Sequence, residues 1–186
     1  MPTAIALINR LYVADQQERS NLSPVERGAY LKLRENDARR REQLRHILET
    51  REVNDGTALY RAAMVFHHGE TFQDIDTAYR LALRSAEAGY RPARWLAASA
   101  QDRSLMYQGQ PQKYGTQIVP DGKRQRIWHM DPSTTDAERR EWDVPVLAKL
   151  EAEAERITRE EPVPPIDTAP EWLQSGIKRW QDAGDW

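Results

Sequence analysis

Cysteine is absent from the 186 residues, which excludes disulfides and every thiolate-ligated metal site. An excess of either charge is absent too: 27 basic residues against 29 acidic ones leave a net charge of −2. That balance supplies no global field toward nucleic acid or an anionic membrane, so neither is expected as a partner. Lysine is scarce, standing only at Lys32, Lys113, Lys123, Lys149 and Lys178; the other cations are arginine. No long apolar run is present. The first one, Ala4 to Ile8, stops at Asn9 and has no basic segment before it. It is expected to be neither a signal peptide nor a membrane span, and cytoplasm is the expected location.

Helical patterns fill most of the chain. Ile5, Leu7, Ile8, Leu11 and Tyr12 recur at helical spacing and predict a first helix over about Thr3–Glu18. Ser23-Pro24-Val25-Glu26 reads as a capping box with proline at the first helical position. The helix behind it carries Tyr30, Leu31 and Leu33, with an interruption expected at Asn36-Asp37 before Leu44, Ile47 and Leu48. Arg39-Arg40-Arg41, Arg45 and His46 lie among Glu35, Asp37, Glu42 and Glu49, which predicts a solvated, ion-paired helix face rather than a nucleic-acid patch. After the Asn54-Asp55-Gly56 turn, Thr57 is expected to cap a helix ending at His67-His68-Gly69. Thr71 opens the next, which stops at Gly89, and Pro92 starts a third, to about Met106.

These helices repeat at an offset of 35 residues. Ala58 falls on Ala93, Tyr60 on Trp95, Ala62 on Ala97 and Ala63 on Ala98, which predicts a buried Trp95. The small residues Ala82, Ala86, Ala88-Gly89-Tyr90 and Ala93-Arg94-Trp95-Leu96-Ala97 resemble Sel1-like and tetratricopeptide repeats. In those repeats such residues let antiparallel helices approach closely. The second repeat is truncated, so a long solenoid is not expected. Beyond it, Gln117–Val119 and Arg124–Trp128 flank Pro120-Asp121-Gly122-Lys123 and predict a hairpin. Thr135-Asp136-Ala137-Glu138 caps a short helix, and Pro145 restarts the chain into a helix with Leu147, Leu150 and Ile157.

The expected architecture is therefore mainly α: a compact helical domain with a truncated helix-turn-helix repeat and one small β-hairpin. It spans 1–160, with the repeat core at 57–107, a polar loop at 109–117 and the hairpin at 117–128. Residues 161–186 form a proline-rich linker and a tryptophan-rich tail. Trp172, Leu173, Ile177 and Trp180 share one face of a short helix after Pro170, with Trp186 at the end. That face is expected to dock on the domain itself, with a protein partner as the second reading.

The loop Gly109-Gln110-Pro111-Gln112-Lys113-Tyr114-Gly115-Thr116-Gln117 carries more amide, hydroxyl and phenol groups than a plain connection needs. The 35-residue register sets His67 on Asp102 and His68 on Arg103, just before that loop. A histidine beside a carboxylate suits acid–base work, and an arginine among amides and a phenol suits an anion or carbonyl clamp. The blander alternative is that His68 caps a helix and that Asp102 and Arg103 only tie down the loop. His67, His68, Glu70 and Asp74 offer metal ligands, but His-His-x-Glu matches no standard spacing, and no metal is expected. No glycine-rich nucleotide loop, Walker pair or serine nucleophile elbow is present, and no cofactor is expected.

Phe66-His67-His68-Gly69, Gly89-Tyr90-Arg91-Pro92-Ala93-Arg94-Trp95-Leu96-Ala97-Ala98, Asp102-Arg103-Ser104-Leu105-Met106 and the 109–117 loop together resemble a bacterial family labelled only as a domain of unknown function. The resemblance is specific over roughly 58–119 and weaker at Asp15-Gln16 and after Thr134. It implies that His68, Asp102, Arg103, Gln112, Tyr114, Thr116 and Gln117 are the motif positions, and it implies no reaction. Two functions are then expected. In one, a helical binding module takes a peptide or a small polar or anionic ligand through Arg103, Gln112, Tyr114, Thr116 and Gln117. In the other, a small enzyme uses His68 and Asp102 for acid–base chemistry on an amide- or carboxylate-bearing substrate.

Overall fold

A computed structural model describes residues 2–21, 27–169 and 171–184. The expected capping box at Ser23–Glu26 lies outside the described residues, as do Pro170 and Trp186. Among the described residues the chain forms eight α-helices and one hairpin, so the fold is mainly α, as the sequence predicts. No helix among them is long and apolar enough to cross a membrane. The chain divides into two compact units, Met1–Ala100 and Gln101–Trp186, and the division falls inside one helix.

The first unit holds α1 (Ala4–Ser20), α2 (Arg27–Thr50), α3 (Gly56–His67), α4 (Phe72–Glu87) and the first half of α5 (Ala93–Tyr107). Each start has a local cause. Thr3, Asp55 and Thr71 accept hydrogen bonds from backbone N–H groups of the first turns of α1, α3 and α4. Asp55, not Thr57, is thus the cap of α3. Gly89 ends α4 at φ 85°, a conformation that costs a glycine little. The buried alanines Ala58, Ala62, Ala63, Ala78 and Ala82 let α3 and α4 pack closely, and Ser85 Oγ donates to the Gly56 carbonyl at 2.6 Å.

Three sequence expectations are corrected here. Helix α2 runs unbroken through Asn36-Asp37, because both side chains find tertiary partners. Asn36 donates to Glu18, and Asp37 accepts from Arg19 and Arg40 at 2.7 Å each. The arginine run is ion-paired but only partly solvated: Arg39 and His46 are exposed, while Arg40 and Arg41 are 8% and 6% exposed, held by Asp37, Glu18 and Asp74. Trp95 is 41% exposed: early in α5 only Ala93 and Leu96 are buried beside it, and the side of the helix that carries Trp95 is covered only from Ala98, Ser99 and Asp102 onward.

The second unit holds the rest of α5, β1 (Ile118–Pro120), β2 (Gln125–Ile127), α6 (Asp136–Glu141), α7 (Leu147–Glu160) and α8 (Glu171–Ala183). The strands pair antiparallel with Val119 opposite Arg126, closed by a turn in which Gly122 has φ 88°. Thr135 and Glu138 complete the expected capping box of α6. The core gathers Met106, Val119, Trp128, Leu173 and Ile177. The tail helix α8 therefore docks within its own unit, and Gly176 makes the fit possible. A Cβ at that position would stand 2.3 Å from the Trp128 ring.

Candidate functional site

The polar loop is folded around two buried side chains. Asp102, with no exposed surface, projects from α5 into the loop backbone. Its Oδ1 accepts from the Lys113 and Tyr114 N–H groups at 2.8 and 2.9 Å. Its Oδ2 accepts from the Thr116 N–H at 2.9 Å and the Thr116 hydroxyl at 2.8 Å. Burial pushes the Asp102 carboxyl above its ordinary range, although the hydrogen bonds from Thr116, Tyr114 and Lys113 pull against it.

Gln112 is the second template. Its Oε1 accepts from the Gln117 N–H at 2.8 Å, while its Nε2 donates to the carbonyls of Gln117 and Trp128 at 3.1 and 2.8 Å. Its backbone bridges to the chain beyond β2: Gln112 N–H donates to the His129 carbonyl, and Asp131 N–H donates to the Gln112 carbonyl, both at 2.8 Å. Tyr114 is buried, and its carbonyl accepts from the Arg139 Nε at 2.9 Å. Gly115 turns the loop at φ 90°, where a Cβ would meet Met130 and Leu150. Of the expected site residues, Asp102, Gln112, Tyr114, Thr116 and Gln117 are thus brought together, and they bind one another. Arg103 lies over the Tyr107 ring, 5.9 Å from its centroid.

His68 has a different partner, in the first unit. As C-cap of α3 it sets Nδ1 3.1 Å from Asp15 Oδ2, on the fully buried face of α1. Asp15 also accepts from Gln16 Nε2 at 2.8 Å and Arg19 Nε at 3.4 Å. Burial alone would raise the Asp15 carboxyl, but the His68 hydrogen bond and charge, Arg19 and Gln16 together hold it below the ordinary value. Arg34 donates to the His68 carbonyl at 3.0 Å and pairs with Glu70. Among the described residues, His68 Nε2 makes no hydrogen bond, and the side chain is 21% exposed. Gly69 follows for a steric reason: a Cβ there would stand 2.2 Å from Asp74 Cβ. No group of three or more His, Asp or Glu side chains among the described residues is arranged to hold a metal ion.

An open groove of about 700 Å³ lies between β2 and α7 in the second unit. Ile127, Met130, Leu147 and Ala154 give it an apolar floor, with Arg124, Arg126, Arg159, Glu151 and Glu155 around it. One end is pinned where Gln125 N–H donates to Thr158 Oγ at 2.9 Å, while that hydroxyl's one proton lies between the Ala154 carbonyl at 2.8 Å and the Gln125 carbonyl at 3.1 Å. Sequence reasoning missed this groove. Its walls come from two separate elements, and the one signal was the amphipathic pattern of α7 beside a strand. No family model, curated protein or solved structure matches the chain.

Proposed function

We propose that the protein is a binding module that takes a short peptide segment in the groove between β2 and α7. One observation carries the reading. The groove joins a partly exposed apolar floor to charged side chains, whereas the polar atoms of the 109–117 loop are largely engaged with one another and with Asp102. Ligand sites usually combine such a floor with a few converging polar groups. In this reading the loop is scaffolding. Through the Gln112 bonds to Trp128 and His129 it fixes the strand that forms one wall. The test is selection of a displayed random peptide library on the wild-type protein and on Leu147→Asp, a half-buried floor position. Peptides that enrich on wild type and lose at least tenfold in affinity on the variant support the module. No enrichment, or equal affinity for both, overturns it.

A second reading has its own observation. The buried Asp15 carboxylate orients the His68 ring by Nδ1 and leaves Nε2 unbonded, the arrangement of a positioned acid or base. In this enzyme reading Asp15 takes the orienting role assigned to Asp102 from the sequence. Turnover of amide or carboxylate substrates lost in both His68→Gln and Asp15→Asn would support it. Turnover that survives either substitution rejects it.

A further inference from the structure

The groove is charged differently at its two ends. Where Gln125 is pinned to Thr158, Arg124, Arg126 and Arg159 line it. Where Met130 and His129 face the start of α7, the charged lining residue is Glu151. Glu155, between them, stands 3.9 Å from Arg159. The cationic end continues past the groove into a smaller pocket of about 380 Å³ lined by Lys123, Arg124, Arg126, Asp121 and Gln181. Arg124 and Arg126 line both.

The local acid is largely spent on the turn. Asp121 Oδ1 accepts from the Lys123 and Arg124 N–H groups at 2.9 Å each. Its Oδ2 stands 3.8 Å from both Arg124 Nε and Arg126 Nη1, too far for a hydrogen bond to either. Asp121 is thus no full counter-ion for Arg124, which keeps 61% of its side chain exposed. Burial and the Arg124 charge together also hold the Arg126 guanidinium below its ordinary pKa, against the pull of Asp121. A guanidinium fork is the side chain best suited to receive a carboxylate in two parallel hydrogen bonds.

We infer that the groove selects an acidic peptide, one whose apolar side chain lies over Ile127 and Met130 while a neighbouring Asp or Glu side chain reaches the exposed Lys123–Arg124 end. This rests on the peptide-module reading and specifies the chemistry of its ligand. The selection that tests the module also tests the inference, because the two fail differently. Binders from the random library should carry Asp or Glu next to an apolar residue. A synthetic binder of that kind should lose at least tenfold in affinity when its acid is replaced by the amide. It should lose similarly on Arg124→Glu with Lys123→Glu, both exposed positions outside the core. Raising salt should weaken it, since exposed charges are screened within about 8–10 Å. Binders with no acidic preference, or an acid whose amide binds equally well, overturn the inference and leave the module standing. Binders that carry only a free C-terminal carboxylate overturn the side-chain assignment. Absence of any binder overturns both.

Discussion

Asp102 is a carboxylate surrounded by four donors, three of them backbone N–H groups that cannot turn round to accept. Asp102→Asn keeps the shape and reverses half the chemistry. Even in its better orientation the amide nitrogen faces the Thr116 N–H. One buried donor is left unpaired, at a cost of about 1–3 kcal/mol measured by urea denaturation. An unchanged midpoint would show that the loop is not built on this residue. Trp95 gives the opposite expectation. At 41% exposure, Trp95→Ala should cost less than about 1 kcal/mol, against about 3–5 for a buried tryptophan. A loss in the larger range would place Trp95 in a core after all. The polar character of the 109–117 loop was legible in the sequence because so many polar groups crowd a short stretch. That these groups face one another was not, since saturation depends on distances. Nor was the partner of His68, 53 residues away on α1. The available signal was an acid, Asp15, on the same stripe as Ile8 and Leu11.

At the scale of elements, caps and glycines were the readable features. Thr71, Gly89 and the Thr135–Glu138 box ended or began helices where the sequence placed them. The unbroken α2 shows what local reading misses: buried arginine–aspartate pairs outweigh the turn preference of Asn36-Asp37. Helix α8 carries its own evidence of docking in Gly176, whose absent side chain admits the Trp128 ring. Gly176→Ala places a methyl within 2.3 Å of that ring. A helical position would ordinarily gain from alanine, but here overpacking should cost about 1–3 kcal/mol. Near-ultraviolet circular dichroism should show the Trp128 environment disturbed. A stabilised variant with an unchanged spectrum would mean that α8 does not sit on Trp128.

Across the whole molecule, one buried aspartate in each unit should answer acid with opposite sign. Asp15, in the first unit, has a folded pKa below its unfolded value of 3.8, so its contribution is present above that value and lost as pH falls through the folded one. Asp102, in the second, has a raised folded pKa, so its contribution is present in acid and lost as pH rises through that value. Below about pH 4, the typical range of an aspartate, wild type should lose stability more steeply with falling pH than Asp15→Asn does, measured by urea denaturation at each pH. Equal pH slopes for the two proteins would reject the Asp15 assignment.

The inward-facing loop changes what selection on this gene can reveal. Variants at Gln112 and Thr116 alter side chains that hydrogen-bond within the protein, and variants at Tyr114 alter a buried ring beside Trp142. In a pooled library scored separately for abundance in the cell and for ligand capture, substitutions there should disappear from both scores together. Substitutions at Arg124 and Leu147 should leave abundance nearly intact and deplete capture alone. The stretch that first draws the eye in this sequence would then report on whether the chain survives. The plainer residues of a strand and a helix farther along would report on what it is for.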